Sequence, residues 1–379
     1  MELRPEINYE SRENSFEKCA HVKSRFVYGE LSCIPNPWLS VVIPTYCRVD
    51  LLKQALDSVL AQWHVDFFWD IVVVDNEPDD GQENETERLI RSYENKRILY
   101  YRNSENIRPG DNFNRCFLLA RGEWVMMLHD DDLLVENTLQ VMGRLINAYS
   151  GEQKPLGAIM ATYIQVEYDA ARNTINADIS GMNQYLRSQP MDYHLYQLTH
   201  NNVKVLAHIG GSAPSNGSTF SRKAVIEAGG FNEDFGISGD LILLYNMENQ
   251  YNVYQTTYPI GFYRWGVNSM MKKESLFRVI RDNFHFREYV YQKNWFNRLI
   301  GKLFRSCHYK TFTSFAIRER CNVSAEYYSL SDFDQIYSQR PNPVWYLFYQ
   351  CVICQIYNRH KKRQGNAHAK KAVRALGTG

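Results

Sequence analysis

A buried strand that runs directly into three aspartates is the feature that most constrains how this chain of 379 residues can fold. Five apolar residues at 124–128 precede His129, and Asp130, Asp131 and Asp132 follow it. A short apolar run bounded by polar residues is typical of a buried strand. Three adjacent carboxylates repel one another unless a cation lies among them, and Mg²⁺ or Mn²⁺ suits such oxygen ligands. The stretch therefore predicts a divalent metal site at a strand end, or else a solvated acidic turn that caps the next helix.

Alternating strand and helix patterns occupy the residues before this stretch. Apolar, β-branched runs predict buried strands at 39–44, 71–74 and 98–101. Apolar residues at helical spacing predict one helix that begins with Asp50 as its N-cap and a second at 86–93. Such an alternation of strands and helices predicts a parallel sheet with right-handed crossovers.

Polar residues follow three of the predicted strands where each strand ends. Thr45, Asp75 and the aspartates at 130–132 occupy these positions. Because ligands bind off the carboxyl ends of the strands in such sheets, we predict a ligand site there. The chain has neither GxGxxG nor GxxxxGKS/T, which disfavours a dehydrogenase and a P-loop NTPase. Asp75 either accepts a hydrogen bond from a nucleotide or caps its own loop.

Ordered motifs carry a resemblance to a known family: VVIPTYCR at 41–48, VVVDNEPDDG at 72–81, the segment 106–121, ARGEW at 120–124 and HDDDLL at 129–134. Together they resemble the amino-terminal half of the family 2 glycosyltransferases, over about residues 38–268. The resemblance implies the GT-A fold, an α/β, Rossmann-like architecture with a mixed, mainly parallel sheet flanked by helices. It also implies an inverting sugar transfer that uses Mn²⁺ or Mg²⁺.

The resemblance further implies roles for individual residues. Asp131 matches the last aspartate of the family's acidic signature and would be the main metal ligand, with Asp130 and Asp132 beside it. His129 stands where the first aspartate of that signature usually lies, and it either ligates the metal or orients a carboxylate. Asp75 would contact the base. Binding of the nucleotide-sugar is implied for Pro44, Thr45, Asp75, Asn76, Asn106, Asn114, Asp130 and Arg264.

Arg264 lies in a segment that resembles the family's chain reversal over the diphosphate. An arginine there can bind a phosphate through two parallel N–H donors. A structural ion pair is the alternative interpretation of Arg264.

An inverting transfer needs a general base that accepts the proton of the acceptor hydroxyl. In the family, a Glu-Asp pair opens a helix after a GGF turn; here Asp240 matches the Asp and Gly239 replaces the Glu. We therefore predict Asp240 as the catalytic base, with a plain N-cap for the helix 241–248 as the alternative. Glu233 and Asp234 are weaker candidates because phenylalanines flank them and indicate a packed turn.

We predict an N-terminal extension at 1–37, on the surface or loosely ordered, a catalytic domain at 38–275 and a helical, basic C-terminal region at 276–379. Residues 281–379 contain 17 Lys and Arg against 6 Asp and Glu, a net charge of +11, which leaves −10 for residues 1–280. Basic helices with interleaved aromatic residues suit an anionic membrane face. A helical bundle or a homodimer contact is the alternative.

These observations predict an inverting, metal-dependent glycosyltransferase. We expect it to move a sugar from a UDP- or dTDP-linked donor to a hydroxyl of a saccharide or lipid-linked saccharide, in bacterial cell-surface polysaccharide synthesis. The polar N-terminus does not resemble a signal peptide, so we expect a cytoplasmic protein, peripheral on the inner membrane face, with no nucleic acid partner. A non-catalytic nucleotide-sugar or glycan-binding subunit is one alternative. A nucleotidyltransferase is another, although the glycine-rich loop it needs is absent after Thr45.

Overall fold

The computed structural model describes residues 9, 13–188, 195–198, 215–265, 282, 285–319 and 341–353. The elements up to residue 149 are, in chain order, α1 (Ser15–Lys18), β1 (Ser24–Tyr28), β2 (Leu39–Thr45), α2 (Val49–Leu60), β3 (Trp69–Asp75), α3 (Glu85–Ser92), β4 (Ile98–Asn103), α4 (Pro109–Leu119), β5 (Trp124–Met127), β6 (Leu133–Leu134) and α5 (Thr138–Tyr149). The predicted alternation of strands and helices is present over these residues. Helix α2 begins at Val49 without a side-chain cap, so Asp50 lies in its first turn and is not its N-cap.

The second half of the catalytic region adds long strands and short helices. They are β7 (Leu156–Asp169), β8 (Thr174–Ile175), α6 (Ile179–Ser188), β9 (Leu195–Leu198), β10 (Thr219–Ser221), α7 (Arg222–Glu227), a 3₁₀ helix (Glu233–Ser238), α8 (Gly239–Met247) and β11 (Asn252–Trp265). The described C-terminal region is helical, with helical residues at 285–292, α9 (Trp295–Glu319), α10 (Pro343–Phe348) and a π-helical turn (Tyr349–Ile353). The predicted boundary at 275/276 lies outside the described residues.

One mixed sheet organises the catalytic region, in the order β1-β4-β3-β2-β5-β10-β7-β11-β6. Strands β4, β3, β2 and β5 are parallel to one another, whereas β10 runs antiparallel between β5 and β7. Strands β7 and β11 are parallel. The fold class predicted from the sequence, an α/β domain with a mixed sheet flanked by helices, is confirmed.

Helices cover both faces of the central strands, because all seven residues of β2 and of β3 are buried. Successive strand residues point to opposite faces. Val41 packs in one core cluster with Leu56 of α2, and Val42 packs in the other with Phe117 of α4. Burial of each such side chain contributes about 1.5–3 kcal/mol, so these clusters hold the strand ends in fixed positions.

The N-terminal segment differs from the prediction of a surface or loosely ordered extension. Strand β1 pairs antiparallel with β4 and becomes an edge of the sheet. Phe16 is buried in the same core cluster as Phe117. Because β1 is an edge strand whose residues are mostly exposed or half-buried, its sequence lacks the apolar run by which the buried strands were predicted.

Among the described helices, none is long and apolar enough to cross a lipid bilayer.

Candidate active site

The ends of the central parallel strands bring the predicted site residues together. Thr45 at the end of β2 is in register with Asp75 at the end of β3. The Thr45 hydroxyl donates a hydrogen bond of 2.8 Å to Asp130 Oδ2, just beyond β5. Pro44 precedes Thr45 inside β2 and is buried. The convergence predicted from the parallel topology is therefore present, and it forms an acidic corner, which we define as residues 129–132.

The three aspartates of the acidic corner are at least 95% buried, yet each carboxylate has a different environment. Asp130 accepts from Thr45 and from Arg48 Nη1, at 2.8 and 3.3 Å. Asp132 accepts from the Arg264 backbone N–H at 2.8 Å and from the Asn216 side chain. Burial, together with the neighbouring Asp131, raises the pKa of Asp130 to about 6 and holds the pKa of Asp132 well above its ordinary value. The corner is therefore short of positive charge.

Asp131 has one oxygen that is free to accept a ligand. Its Oδ2 accepts from Arg48 Nη1 at 3.0 Å, whereas its Oδ1 is buried and has no hydrogen-bond partner among the described residues. A buried oxygen without a partner costs about 1–3 kcal/mol of stability, and a cation at this position would remove that cost.

Asp131 belongs to a group of three possible metal ligands. His129, Asp131 and Asp132 each offer one atom, and these atoms lie within 4.8 Å of one another. Burial lowers the pKa of His129, which keeps its ring neutral and able to ligate. Asp130, which we predicted as a further ligand, is not one of these three residues, and its oxygens accept from Thr45 and Arg48. The residues present fit a divalent ion such as Mn²⁺, with His129 in place of Asp130.

Arg48 is a site residue that was missed from the sequence. Its guanidinium lies between the carboxylates of Asp130 and Asp131, and its side chain is one-third exposed. It follows the PTYC residues of the first motif directly, and that position at a strand end was the signal available. Arg48 thus places a positive charge beside the acidic corner and is also partly exposed to solvent.

Asp240 lies in the first turn of α8 and is half-buried. Its Oδ1 accepts from the Leu241 backbone N–H at 2.8 Å. Burial raises the pKa of Asp240 to about 6, and hydrogen bonds from the backbone N–H groups of Leu241 and Ser215 oppose that rise. A carboxylate with this pKa is largely ionised at neutral pH and still basic enough to accept a proton.

Two connections join Asp240 to the acidic corner. Ser215 donates its backbone N–H to Asp240, and the neighbouring Asn216 bonds both the side chain of Asp132 and the backbone N–H of His129, the latter at 2.8 Å. In addition, burial and the charges of Asp132 and Asp240 together raise the pKa of Tyr163 to about 12. Both carboxylates are therefore near enough to Tyr163 to act on its hydroxyl electrostatically. Asn216 was also missed, since it lies in a small-residue loop without regular periodicity.

The guanidinium of Arg264 contacts protein oxygens in this structure, which favours the structural alternative, and phosphate binding by Arg264 stays a prediction. Its side chain is fully buried. It donates to the backbone oxygens of Asp131, Asp130 and Leu51, the latter two at 3.1 and 3.2 Å, and to Gln54 Oε1 at 2.8 Å. Arg264 therefore supports the backbone of the acidic corner through these hydrogen bonds.

The predicted nucleotide-contacting asparagines occupy different positions. Asn76 is buried and exchanges hydrogen bonds with the backbone of Ile107, at 2.7 and 3.1 Å, while Asn106 beside it is exposed. Asn114 is fully buried, and its amide makes two 2.8 Å bonds with the backbone of Phe231. Asn114 thus fixes the turn before α8, and its predicted contact with a nucleotide stays a prediction.

Asp75 is also fully buried. It accepts from the Glu77 backbone N–H at 2.9 Å, from Asn84 at 2.9 Å and from the Tyr100 hydroxyl at 2.7 Å. In this conformation its side chain shapes the loop after β3 and has no exposed surface to offer a nucleobase. The alternative of loop capping describes these contacts.

We expect Arg264→Met to lower the free energy of unfolding by about 3 kcal/mol or more, because it leaves buried backbone carbonyls without their donor and removes a cation that acts on the nearby carboxylates. Urea unfolding followed by circular dichroism measures the change. The matched control is Arg172→Met, since Arg172 is 81% exposed and should shift stability by less than about 0.5 kcal/mol. An unchanged stability for Arg264→Met would contradict the supporting role.

The fold and the site together define the class of architecture: a GT-A fold, in which an acidic corner lies at the carboxyl ends of parallel strands. A family model described as "Glycosyl transferase family 2" matches residues 40–163. That segment matches the family 2 glycosyltransferases, and the resemblance inferred from the motifs is confirmed over it.

Several known proteins are similar to this chain in sequence or in fold. The abequosyltransferase RfbV of Salmonella typhimurium is 33% identical over 104 residues, which cover 27% of this chain and 31% of RfbV. A putative colanic acid biosynthesis glycosyl transferase of Escherichia coli, WcaA, is 29% identical over 106 residues, 28% of this chain and 37% of WcaA. The chain thus matches only about a third of the length of these relatives. Among crystal structures, S. aureus TarS 1-349 in complex with UDP aligns over 90% of this chain and 92% of that chain, with a TM-score of 0.51 and 16% identity, which shows a shared fold.

Proposed function

We propose that this protein is an inverting, metal-dependent glycosyltransferase that moves a sugar from a nucleoside-diphosphate donor to an acceptor hydroxyl. The observation that supports it most is the half-buried Asp240 carboxylate, joined by Ser215 and Asn216 to a corner that contains an unpartnered Asp131 oxygen. One half of the reaction needs a proton acceptor and the other half needs a place for the diphosphate charge. The two carboxylate sites meet these two needs.

Asp240 would accept the proton of the acceptor hydroxyl as that oxygen attacks the anomeric carbon of the sugar. Arg48, which contacts Asp131 and is partly exposed, would add positive charge beside the leaving diphosphate. His129, Asp131 and Asp132 would hold Mn²⁺ or Mg²⁺, which as a Lewis acid neutralises the charge that develops on the leaving group. Arg264 and Asn216 would keep these ligands in position through their hydrogen bonds to the corner.

For the donor we propose a UDP- or dTDP-sugar. The family 2 domain at 40–163 supports a nucleotide-sugar, and the TarS structure that shares the fold is a complex with UDP. Thr45, the exposed Asn106 and the loop shaped by Asp75 and Asn76 would border the nucleoside.

For the acceptor we propose a saccharide or a lipid-linked saccharide of bacterial surface-polysaccharide synthesis. The names of RfbV and WcaA support this setting. The basic C-terminal region would bring the enzyme to the inner face of the membrane as a peripheral protein. A homodimer contact through the same region is the alternative.

The proposal is tested by assaying release of UDP or dTDP from a panel of nucleotide-sugars, with saccharide acceptors, in the presence of Mn²⁺ or EDTA. We expect turnover that requires the metal and a product of inverted anomeric configuration by NMR. Donor binding without turnover on any acceptor would favour a non-catalytic binding subunit. A product that retains the anomeric configuration would overturn the role of Asp240 as base.

The pH dependence of turnover should report the Asp240 carboxylate. Because its pKa is raised to about 6, the basic form is complete well above pH 6 and is lost as the pH falls through that value. We therefore expect kcat/KM at saturating Mn²⁺ to be level from about pH 7 to 8 and to fall about tenfold per unit below its pKa. In Asp240→Asn the remaining rate should not show this step. A wild-type rate that stays level down to pH 5 would contradict the assignment.

A further inference from the structure

A basic pocket of about 330 Å³ lies in the C-terminal region, away from the acidic corner. Arg298, Lys302 and Arg305 line it from α9, together with Ser306, and Tyr291 lines it from the preceding helical residues. None of the described lining residues is acidic. The pocket therefore presents cations and a hydroxyl to whatever enters it.

Two of the three cations in the pocket are not neutralised by the described residues. Arg305 pairs with Glu288 at 2.8 Å and lies over the ring of Tyr291, with 5.4 Å to its centroid. Arg298 donates to the backbone oxygen of Gln292 at 3.4 Å, and neither it nor Lys302 has a carboxylate partner in the described part of the chain. An anion with several oxygens, such as a phosphate, is the ligand whose chemistry matches this set.

A stripe of exposed apolar side chains runs along α9 beside the pocket. Trp295, Phe296, Leu299 and Leu303 are 75%, 55%, 44% and 41% exposed. At 3.6 residues per turn, positions 295, 299 and 303 form one row of the helix, next to the row that contains 298, 302 and 305. The basic pocket and the apolar stripe are therefore adjacent over residues 295–306 of α9.

Helix α10 extends the apolar surface. It packs against α9 through Trp345, whose ring stacks on Phe304 with centroids 5.3 Å apart and whose N–H donates to the Leu303 carbonyl at 2.7 Å. On α10, Val344 and Leu347 are 76% and 63% exposed. Apolar side chains from two contacting helices, next to a row of cations, are typical of a surface that lies on a membrane interface.

We propose that this pocket binds the phosphate headgroup of an anionic membrane lipid while the apolar stripe of α9 and α10 enters the acyl boundary. The inference deepens the proposed peripheral membrane setting and rests on it. It would place the catalytic domain where lipid-linked acceptors are found. Cations in the pocket would select phosphate-bearing lipids, and the stripe would add affinity for any bilayer.

Charge favours a membrane over a second copy of the chain. Residues 281–379 have 17 basic and 6 acidic residues, a net charge of +11. In a two-fold contact the same patch meets itself, so two such surfaces would repel each other. An anionic bilayer instead complements both the charge and the apolar stripe.

The test is co-sedimentation of the full-length protein with vesicles of phosphatidylcholine alone, or of phosphatidylcholine and phosphatidylglycerol in equal parts. We expect strong binding to the anionic vesicles and weak binding to the neutral ones. Lys302→Gln, in the pocket, should lower the partition coefficient for anionic vesicles about fivefold or more, since one basic residue near such a surface contributes about 1 kcal/mol. Leu299→Ser should weaken binding to both kinds of vesicle.

The matched control is Lys310→Gln, which removes the same charge from the same helix but lies outside the pocket. The logarithm of the partition coefficient should fall less than half as much for Lys310→Gln as for Lys302→Gln. Equal losses for the two variants would overturn the proposal, because they would show that diffuse charge attraction and not the pocket binds the vesicles. Absence of vesicle binding, with a dimer in analytical ultracentrifugation that Leu299→Ser dissociates, would assign the surface to a second copy. Turnover on a soluble acceptor should be unchanged in all three variants, so failure of this inference is separable from failure of the proposed catalytic function.

Discussion

Replacing Asp240 with asparagine is expected to lower kcat by about 10²–10⁴-fold, the range that removal of a general base typically costs. Asparagine keeps the size of the side chain and can still accept from the Leu241 backbone N–H, so the start of α8 should be preserved. Affinity for the nucleotide-sugar should change by less than about twofold, because Asp240 would contact the acceptor hydroxyl and not the nucleotide. Steady-state kinetics measures kcat, and calorimetric titration of the nucleotide-sugar with Mn²⁺ and without acceptor measures the affinity.

The neighbouring acidic residues supply matched controls for Asp240. Asp234 pairs with Lys18 at 2.6 Å and is half exposed, and Glu233 accepts from the Gly110 backbone N–H. The side chain of Asp234 is thus paired with α1, and that of Glu233 is bonded to α4. Asp234→Asn should keep a rate near that of the wild type. If Asp234→Asn lost as much activity as Asp240→Asn, or if Asp240→Asn kept full activity, the assignment of the base would be wrong.

The position of the site was predictable from the sequence because its signals are local. Thr45, Asp75 and the acidic corner each follow a run of apolar residues, and parallel connections then place all such strand ends at one edge. The helix that begins at Gly239 and its acidic residue were predictable from the GGF turn that resembles the family's. Strand β1 was not, because an edge strand with exposed side chains has no apolar periodicity.

The roles of individual side chains were less predictable, since they depend on contacts between distant segments. An arginine that binds a phosphate and an arginine that bonds buried backbone oxygens have the same sequence signature. The hydrogen bonds from Arg264 to the backbone oxygens of Leu51 and Asp130 are contacts of the second kind. Asn114 likewise pairs with the backbone of Phe231, more than one hundred positions along the chain. Side-chain amides and guanidinium groups satisfy buried backbone atoms as readily as they bind ligands.

The second large effect is expected at Asp131. Asp131→Asn should weaken Mn²⁺ binding by more than the roughly 10- to 100-fold that changes to outer-shell residues cost, and turnover should fall with metal occupancy. The reason is that Asp131 offers the one buried oxygen of the described acidic corner that lacks a hydrogen-bond partner, whereas an amide there brings no charge. Titration of Mn²⁺ followed by electron paramagnetic resonance measures the affinity without requiring turnover.

Asp130→Asn distinguishes the ligand group of the structure from the three-aspartate group predicted from the sequence. Asp130 is adjacent to Asp131 and similarly buried, but it is not in the group of three possible ligands, and its oxygens accept from Thr45 and Arg48. We therefore expect Asp130→Asn to weaken Mn²⁺ binding within the range for outer-shell residues, clearly less than Asp131→Asn. His129→Ala should weaken binding more than Asp130→Asn, because the imidazole is within 4.8 Å of the other two ligand atoms. The reverse order for His129 and Asp130 would restore the three aspartates as the metal ligands and leave His129 as a residue that orients a carboxylate.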